Sequence, residues 1–254
     1  MSRFPNITAG TSQAATALLE SAARDARKRR RPPLRHATRP GLLRSGAAGA
    51  ARVDCHDDRS FADDFQFPLT SLQRHSGEDP HDMLHELLPG PHVTRVLGRI
   101  IEMHGKRYRQ KYLQRVTAFS DVRTLFERVK RARRRIALAT SASADELDHY
   151  LSLLYVGDLV DAVACGDDVQ HDKPDSALIE VALLRAGKVA PEDAVMIGDT
   201  PYDAIAAKHA RVRAIGMLSG GFSRTELEAS GCAAVYRDPA DFLAHYEETA
   251  RLLA

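Results

Sequence analysis

Two carboxylates four residues apart, in Gly198-Asp199-Thr200-Pro201-Tyr202-Asp203, follow directly on the apolar run Ala194-Val-Met-Ile197. An aspartate at a strand end and a second on the helical turn beyond it can face one point. Hard oxygen donors of this kind suit Mg²⁺, which keeps several waters and bridges to phosphate. The same pair could instead cap the helix. Lys173, in His171-Asp172-Lys173-Pro174-Asp175, stands just before a predicted helix. Its ammonium opposes the positive end of the helix dipole there and calls for an anion, with a solvated lysine as the alternative. Thr140 ends the run Ile136-Ala-Leu-Ala139. Its hydroxyl and the free N–H groups of the helix start that follows could hold a phosphate oxygen, or serve as an ordinary cap.

These residues matter only if the chain brings them together. From Asp121 onward, short apolar runs alternate with amphipathic helices. Strands are expected at 135–140, 163–165, 194–198, 212–218 and 234–236. Helices are expected after Ser143, whose Glu146 partner makes a capping box, then at 174–186 closed by Gly187, at 202–210, after Ser223 with Glu226, and from Asp238 onward. Strand and helix in alternation imply a parallel sheet with helices on both faces and a ligand site at the carboxyl ends of its strands. Residues 61 to about 120 are helical in pattern instead. Met83, Leu84, Leu87 and Leu88 form one stripe, Val93, Val96, Leu97, Ile100 and Ile101 another, and Pro89-Gly90-Pro91 breaks them; Tyr112, Leu113 and Val116 continue the pattern. The many Arg, Lys and His residues of this stretch could line a site for an anionic substrate or form a solvated face.

Composition narrows the class. With 254 residues, 28% charged and 44% hydrophobic, the chain is expected to be globular with one or two domains. No apolar run approaches the roughly 20 residues of a membrane-spanning helix, and the first thirty residues show no signal-peptide segment, so a soluble, cytoplasmic protein is expected. Cys55, Cys165 and Cys232 are widely separated, which argues against a zinc site or a disulfide framework. The net charge of +2 gives no global reason to expect a nucleic-acid or membrane partner.

A threonine after one strand, a lysine before proline and a Gly-Asp-x-x-x-Asp after another strand, in that order, are far more specific than any one alone. Residues 121–246 resemble the core of haloacid dehalogenase-like hydrolases, nearest the phosphoglycolate-phosphatase and sugar-phosphate phosphatase branch. The likeness extends through Ser219-Gly220-Gly221-Phe222 and Tyr236-Arg-Asp-Pro239. Residues 61–118 are similar to that family's helical cap. The resemblance implies an α/β fold with a Rossmann-like parallel sheet core at 119–254, a small helical cap at 61–118, and Mg²⁺-dependent phosphoryl transfer from a small phosphorylated substrate through an aspartyl-phosphate. Carried over residue by residue, Thr140 and Ser141 would bind the phosphoryl oxygens, Lys173 would neutralise charge on nucleophile and phosphate, and Asp199 would ligand Mg²⁺ with Asp203 supporting it. Positioning and electrostatics dominate such chemistry.

The family's first motif, Asp-x-Asp-x-Thr after the first strand, has no counterpart: no Asp-x-Asp occurs in the chain, and the nucleophile is unassigned. The segment that should carry it, residues 1–60, is rich in Arg, Ala and Gly and holds Arg27-Lys28-Arg29-Arg30-Arg31 before two prolines. It reads as a poorly ordered basic tail, a nucleic-acid-binding arm, a transit peptide, or a replaced start that removes the central strand together with the nucleophile. Besides the phosphatase reading, a non-catalytic phosphate- and metal-binding protein and a nucleic-acid-associated protein are therefore open.

Overall fold

Six short strands form one parallel sheet in the computed structural model, which describes residues 6–10, 74–75, 77–87 and 93–252. The strands are β1 (Asn6–Gly10), β2 (Ile136–Ala139), β3 (Ala162–Ala164), β4 (Ala194–Gly198), β5 (Arg213–Met217) and β6 (Cys232–Tyr236), in the order β3-β2-β1-β4-β5-β6. The order runs outward in one direction from β1 to β3 and in the other from β4 to β6. The topological switch point therefore lies between β1 and β4, where an open α/β sheet leaves a crevice at its carboxyl edge.

Side-chain alternation along the strands explains why helices cover both faces. Ile136 and Leu138 of β2, Val195 of β4, and Ile215 and Met217 of β5 share a core with Leu125 and Val129 of α3 (Val122–Arg131), Leu147 of α4 (Ala144–Leu154), Phe242 of α8 (Pro239–Ala244) and Tyr246 of α9 (Tyr246–Leu252). The intervening residues face the other way. Ala137 and Ala139 meet Leu178 and Ala182 of α5 (Ala177–Arg185), while Ala194, Met196 and Ala214 meet Ile179 of the same helix and Ala204, Ala206 and Ala207 of α6 (Pro201–His209). Between β5 and β6 lies α7 (Arg224–Ala229), opened by the Ser223/Glu226 capping box that its sequence predicts.

The described chain divides into two compact units. The first holds residues 6–10, 77–79 and 115–252; the second holds 74–75, 80–87 and 93–114. In the second unit α1 (Pro80–Leu87) and α2 (Val93–Lys111) bury Leu84 and Leu97, with Met83, Ile100 and Ile101 packed against them.

One expectation is corrected. The central strand is not missing, because Asn6–Gly10 pairs with β2 through Ile7 to Gly10 and with β4 through Asn6 to Ala9. A central position needs only main-chain N–H and C=O groups in register on both sides, and the inner edges of β2 and β4 would otherwise carry unpaired backbone. The basic run 27–31, the rest of 11–73, Cys55 and the Pro89-Gly90-Pro91 break lie outside the described residues. Smaller differences concern boundaries: the helix expected from 174 begins at Ala177, and the terminal helix is two, α8 and α9. Among the described residues no helix is long and apolar enough to cross a membrane, and Cys165 and Cys232 are free thiols.

Candidate active site

The residues singled out by sequence converge at the carboxyl edge of the sheet. Thr140 directly follows β2, Asp199 follows β4, and Asp203 sits on the first turn of α6. Lys173 enters from the loop between β3 and α5. Its ammonium donates to Asp203 Oδ1 at 3.0 Å and to the Ala139 carbonyl at 3.4 Å. Thr140, Lys173, Asp199 and Asp203 are all at most 1% exposed.

Asp203 is saturated. Besides the Lys173 ammonium on Oδ1, its Oδ2 accepts from the Asp199 N–H at 3.2 Å, the Thr200 N–H at 3.1 Å and the Thr200 hydroxyl at 2.9 Å. The sequence reading made Asp203 a supporting partner of a metal ligand, and the geometry places it where it fixes both the lysine and the turn that carries Asp199. Gly198 makes this possible, because a Cβ there would fall 2.3 Å from Asp203 Cβ.

Asp199 is the opposite case. Oδ2 accepts from Ser219 Oγ at 3.4 Å, while the buried Oδ1 has no hydrogen-bond partner. Burial raises its carboxyl well above the ordinary range, and the neighbouring Asp203 charge adds to the rise, against the attraction of Lys173. The three buried groups sum to one uncompensated negative charge when both carboxyls are ionised. An orphaned, buried carboxylate oxygen beside a deficit of positive charge fits a hard divalent cation.

Thr140 lies between strands, its N–H bonded to the Ala164 carbonyl at 2.9 Å and its Oγ1 accepting from the Ala142 N–H at 3.1 Å. The hydroxyl proton remains to be donated. Its neighbour Ser141 stands near Asp172, where its hydroxyl favours the ionised form of that carboxyl. His209 holds the lysine loop from outside through the Pro174 carbonyl, 2.9 Å from Nδ1, whereas His171 is exposed.

Sequence reasoning gave no role to three residues that adjoin this cluster. Ser219 could have been found by a looser form of the rule that yielded Asp199, since it lies two residues past the end of β5. Asp172 and Asp79 could not. Asp79 is buried and 94 residues distant from Lys173, yet its N–H donates to the Lys173 carbonyl and its Oδ2 accepts from the Asp172 N–H, both at 2.8 Å. Burial raises the Asp172 carboxyl, and the Asp79 charge adds a smaller push against the pull of Lys173.

Comparison with known proteins gives the same frame. The chain is 30% identical over 118 residues to the pyrophosphatase PpaX of Bacillus velezensis, covering 46% of this chain and 54% of that one. It is 33% identical over 104 residues to the phosphoglycolate phosphatase of Rhodospirillum rubrum, covering 41% and 42%. The chain thus spans about half the length of the curated relatives it matches. The crystal structure of a hydrolase from Pseudomonas syringae superposes with a TM-score of 0.72 at 22% identity, over 96% of this chain and 98% of the other, which shows a shared fold. Residues 60–217, which include Thr140, Lys173, Asp199 and Asp203 but begin after β1, match the haloacid dehalogenase-like hydrolases, and the chain belongs to that family.

Proposed function

We propose that this chain is a Mg²⁺-dependent phosphatase-type protein for small phosphorylated metabolites. The observation that carries the reading is the fully buried, unpartnered Asp199 Oδ1 set beside the Lys173–Asp203 pair at the switch point of the sheet. Asp199 would hold the cation, which supplies positive charge at a phosphoryl oxygen. Lys173 presents a second, water-excluded positive charge, and its contact with the Ala139 carbonyl directs it toward the end of β2. Thr140 offers its hydroxyl proton to a phosphoryl oxygen, and Ser141 would contribute its main-chain N–H. Preorganised donors of this kind in a dry site stabilise developing phosphoryl charge without having to reorient. The free Cys165 and Cys232 thiols fit a cytoplasmic setting.

A second reading is favoured by one observation. β1, Asn6-Ile-Thr-Ala-Gly10, ends between the strands of Thr140 and Asp199 but carries no carboxylate, and neither do Thr11-Ser12-Gln13 after it. A chain that binds phosphate and cation there without forming an aspartyl-phosphate would be a non-catalytic member of the family.

Purified protein incubated with Mg²⁺ and a panel of phosphate esters that includes pyrophosphate and phosphoglycolate separates the two. Phosphate release abolished by Asp199→Ala supports the phosphatase reading. Thermal stabilisation by Mg²⁺ and phosphate with no product supports the second, and neither response would remove both.

A further inference from the structure

We propose that Asp79 is a positioning residue for Lys173, clamping the backbone from which the ammonium is aimed at a bound phosphoryl group. The inference rests on the phosphate-binding reading above. A long, flexible lysine side chain delivers charge to one point only if its main chain is fixed, and the 169–176 loop has no regular secondary structure. Within that loop the Lys173 N–H is held by Asp172 Oδ1 at 2.7 Å and the Asp175 N–H by the Asp172 carbonyl at 3.0 Å. Outside the loop His209 meets the Pro174 carbonyl, and the main chain of Lys173 and Asp172 is engaged by Asp79, whose N–H donates to the Lys173 carbonyl and whose Oδ2 accepts from the Asp172 N–H. Two bonds to successive residues fix both position and direction, as one rung of a sheet does.

The neighbours of Asp79 touch the other half of the cluster. Gly77, at φ +101°, presses on Thr200, where a Cβ would fall 2.7 Å from Cγ2, and the Tyr202 hydroxyl donates to Glu78 Oε2 at 3.2 Å. One tripeptide thus braces the loop of Lys173 and the turn of Asp199 and Asp203. A purely local role for Asp79 is as the cap of α1, since it precedes Pro80 at the first helical position.

The two roles differ in which side chains satisfy them. Serine caps a helix well but is too short to reach the Asp172 N–H, whereas asparagine keeps the acceptor. The test titrates the full chain with inorganic phosphate in saturating Mg²⁺, and separately with Mg²⁺ alone, by calorimetry, with melting temperatures recorded for each variant. Asp79→Ser is expected to weaken phosphate binding about tenfold or more, Asp79→Asn to keep it within about threefold, and both to leave Mg²⁺ affinity unchanged. Phosphate affinity unaltered in Asp79→Ser, or lost in parallel with Mg²⁺ affinity and melting temperature, overturns the positioning role. Lys173→Met separates the two levels of argument. If it abolishes phosphate binding while Asp79→Ser does not, only the inference about Asp79 fails. If Lys173→Met binds phosphate normally, or the unsubstituted chain binds none, the phosphate site itself is refuted and the inference with it.

Discussion

Two cation–carboxylate pairs in this molecule have similar lengths and opposite surroundings. Lys173 and Asp203 meet at 3.0 Å with side chains 0% and 2% exposed, while Arg185 and Asp168 meet at 2.6 Å with 47% and 21% exposure. The outer pair is the more favourable geometrically, a two-pronged contact in which the guanidinium also donates at 2.7 Å to the second carboxylate oxygen. Length therefore does not rank them. What differs is what each pair leaves over. Arg185 and Asp168 balance one another and water screens the rest, whereas the inner pair shares its dry surroundings with Asp199, whose unpartnered oxygen makes the site short of one positive charge. The outer pair tightens the end of α5 against β3, where Arg185 also donates to the Val163 carbonyl at 2.8 Å, and the inner pair shares a buried cluster with an unpartnered carboxylate oxygen.

Removing the inner cation should have the largest effect. Lys173→Met leaves Asp203 and Asp199 as two buried carboxylates with no counter-ion, a loss of about 3 kcal/mol or more in folding stability near neutral pH. The deficit should shrink on acidification, because the raised Asp199 carboxyl takes up a proton. Denaturant titration at pH 7.5 and at pH 5 measures both, and an equal cost at the two values would show that lost packing rather than charge is responsible.

Asp199→Asn should act in the reverse sense. The folded-state carboxyl is raised, so its contribution to stability is complete below the ordinary aspartate value of about 3.9 and is lost as pH rises through the raised value. In the absence of metal the asparagine variant should be more stable than the parent at pH 8, by about 1 kcal/mol, and the gap should close on acidification. Mg²⁺ should raise the melting temperature of the parent, more at pH 8 than at pH 5, and leave the variant unchanged. A variant that still responds to Mg²⁺ would place the cation elsewhere.

Much of this comparison was legible in the sequence, for a definite reason. Thr140, Asp199 and Ser219 follow strands whose apolar runs are unambiguous, and a parallel sheet sends every such residue to one edge. Lys173 could be picked out as a cation at a helix start, although the helix begins only at Ala177 and the anion it meets is Asp203. β1 escaped because five residues with a single large aliphatic side chain, set in an Arg-, Ala- and Gly-rich stretch, show no periodicity; its place is fixed by pairing with strands more than 120 residues away. The two clamping bonds of Asp79 were illegible for a related reason. Asp before Pro reads locally as a helix start, and nothing in the chain marks that its carboxylate reaches residue 172. The division of labour between Asp199 and Asp203 also needed coordinates, since two aspartates four apart look alike until their donors are counted.

The outer pair should give the smallest effect. Arg185 holds the Asp168 carboxyl down to about 2, helped by the Cys165 N–H. A depressed carboxyl contributes stability above its ordinary value of about 3.9 and loses it as pH falls through the folded-state value. Arg185→Ala should therefore cost more at pH 7 than near pH 2, where the carboxyl is partly protonated and the bond to the Val163 carbonyl is what remains. Nearly half of the arginine is exposed, so the cost at pH 7 should be no more than about 1 kcal/mol and should fall further in 1 M salt, because ions reach and screen an exposed pair. The inner pair, closed to ions, should show no such salt dependence. If salt weakened both pairs alike, Lys173 and Asp203 would be in contact with solvent, and the water-excluded charge on which the phosphate site depends would not exist.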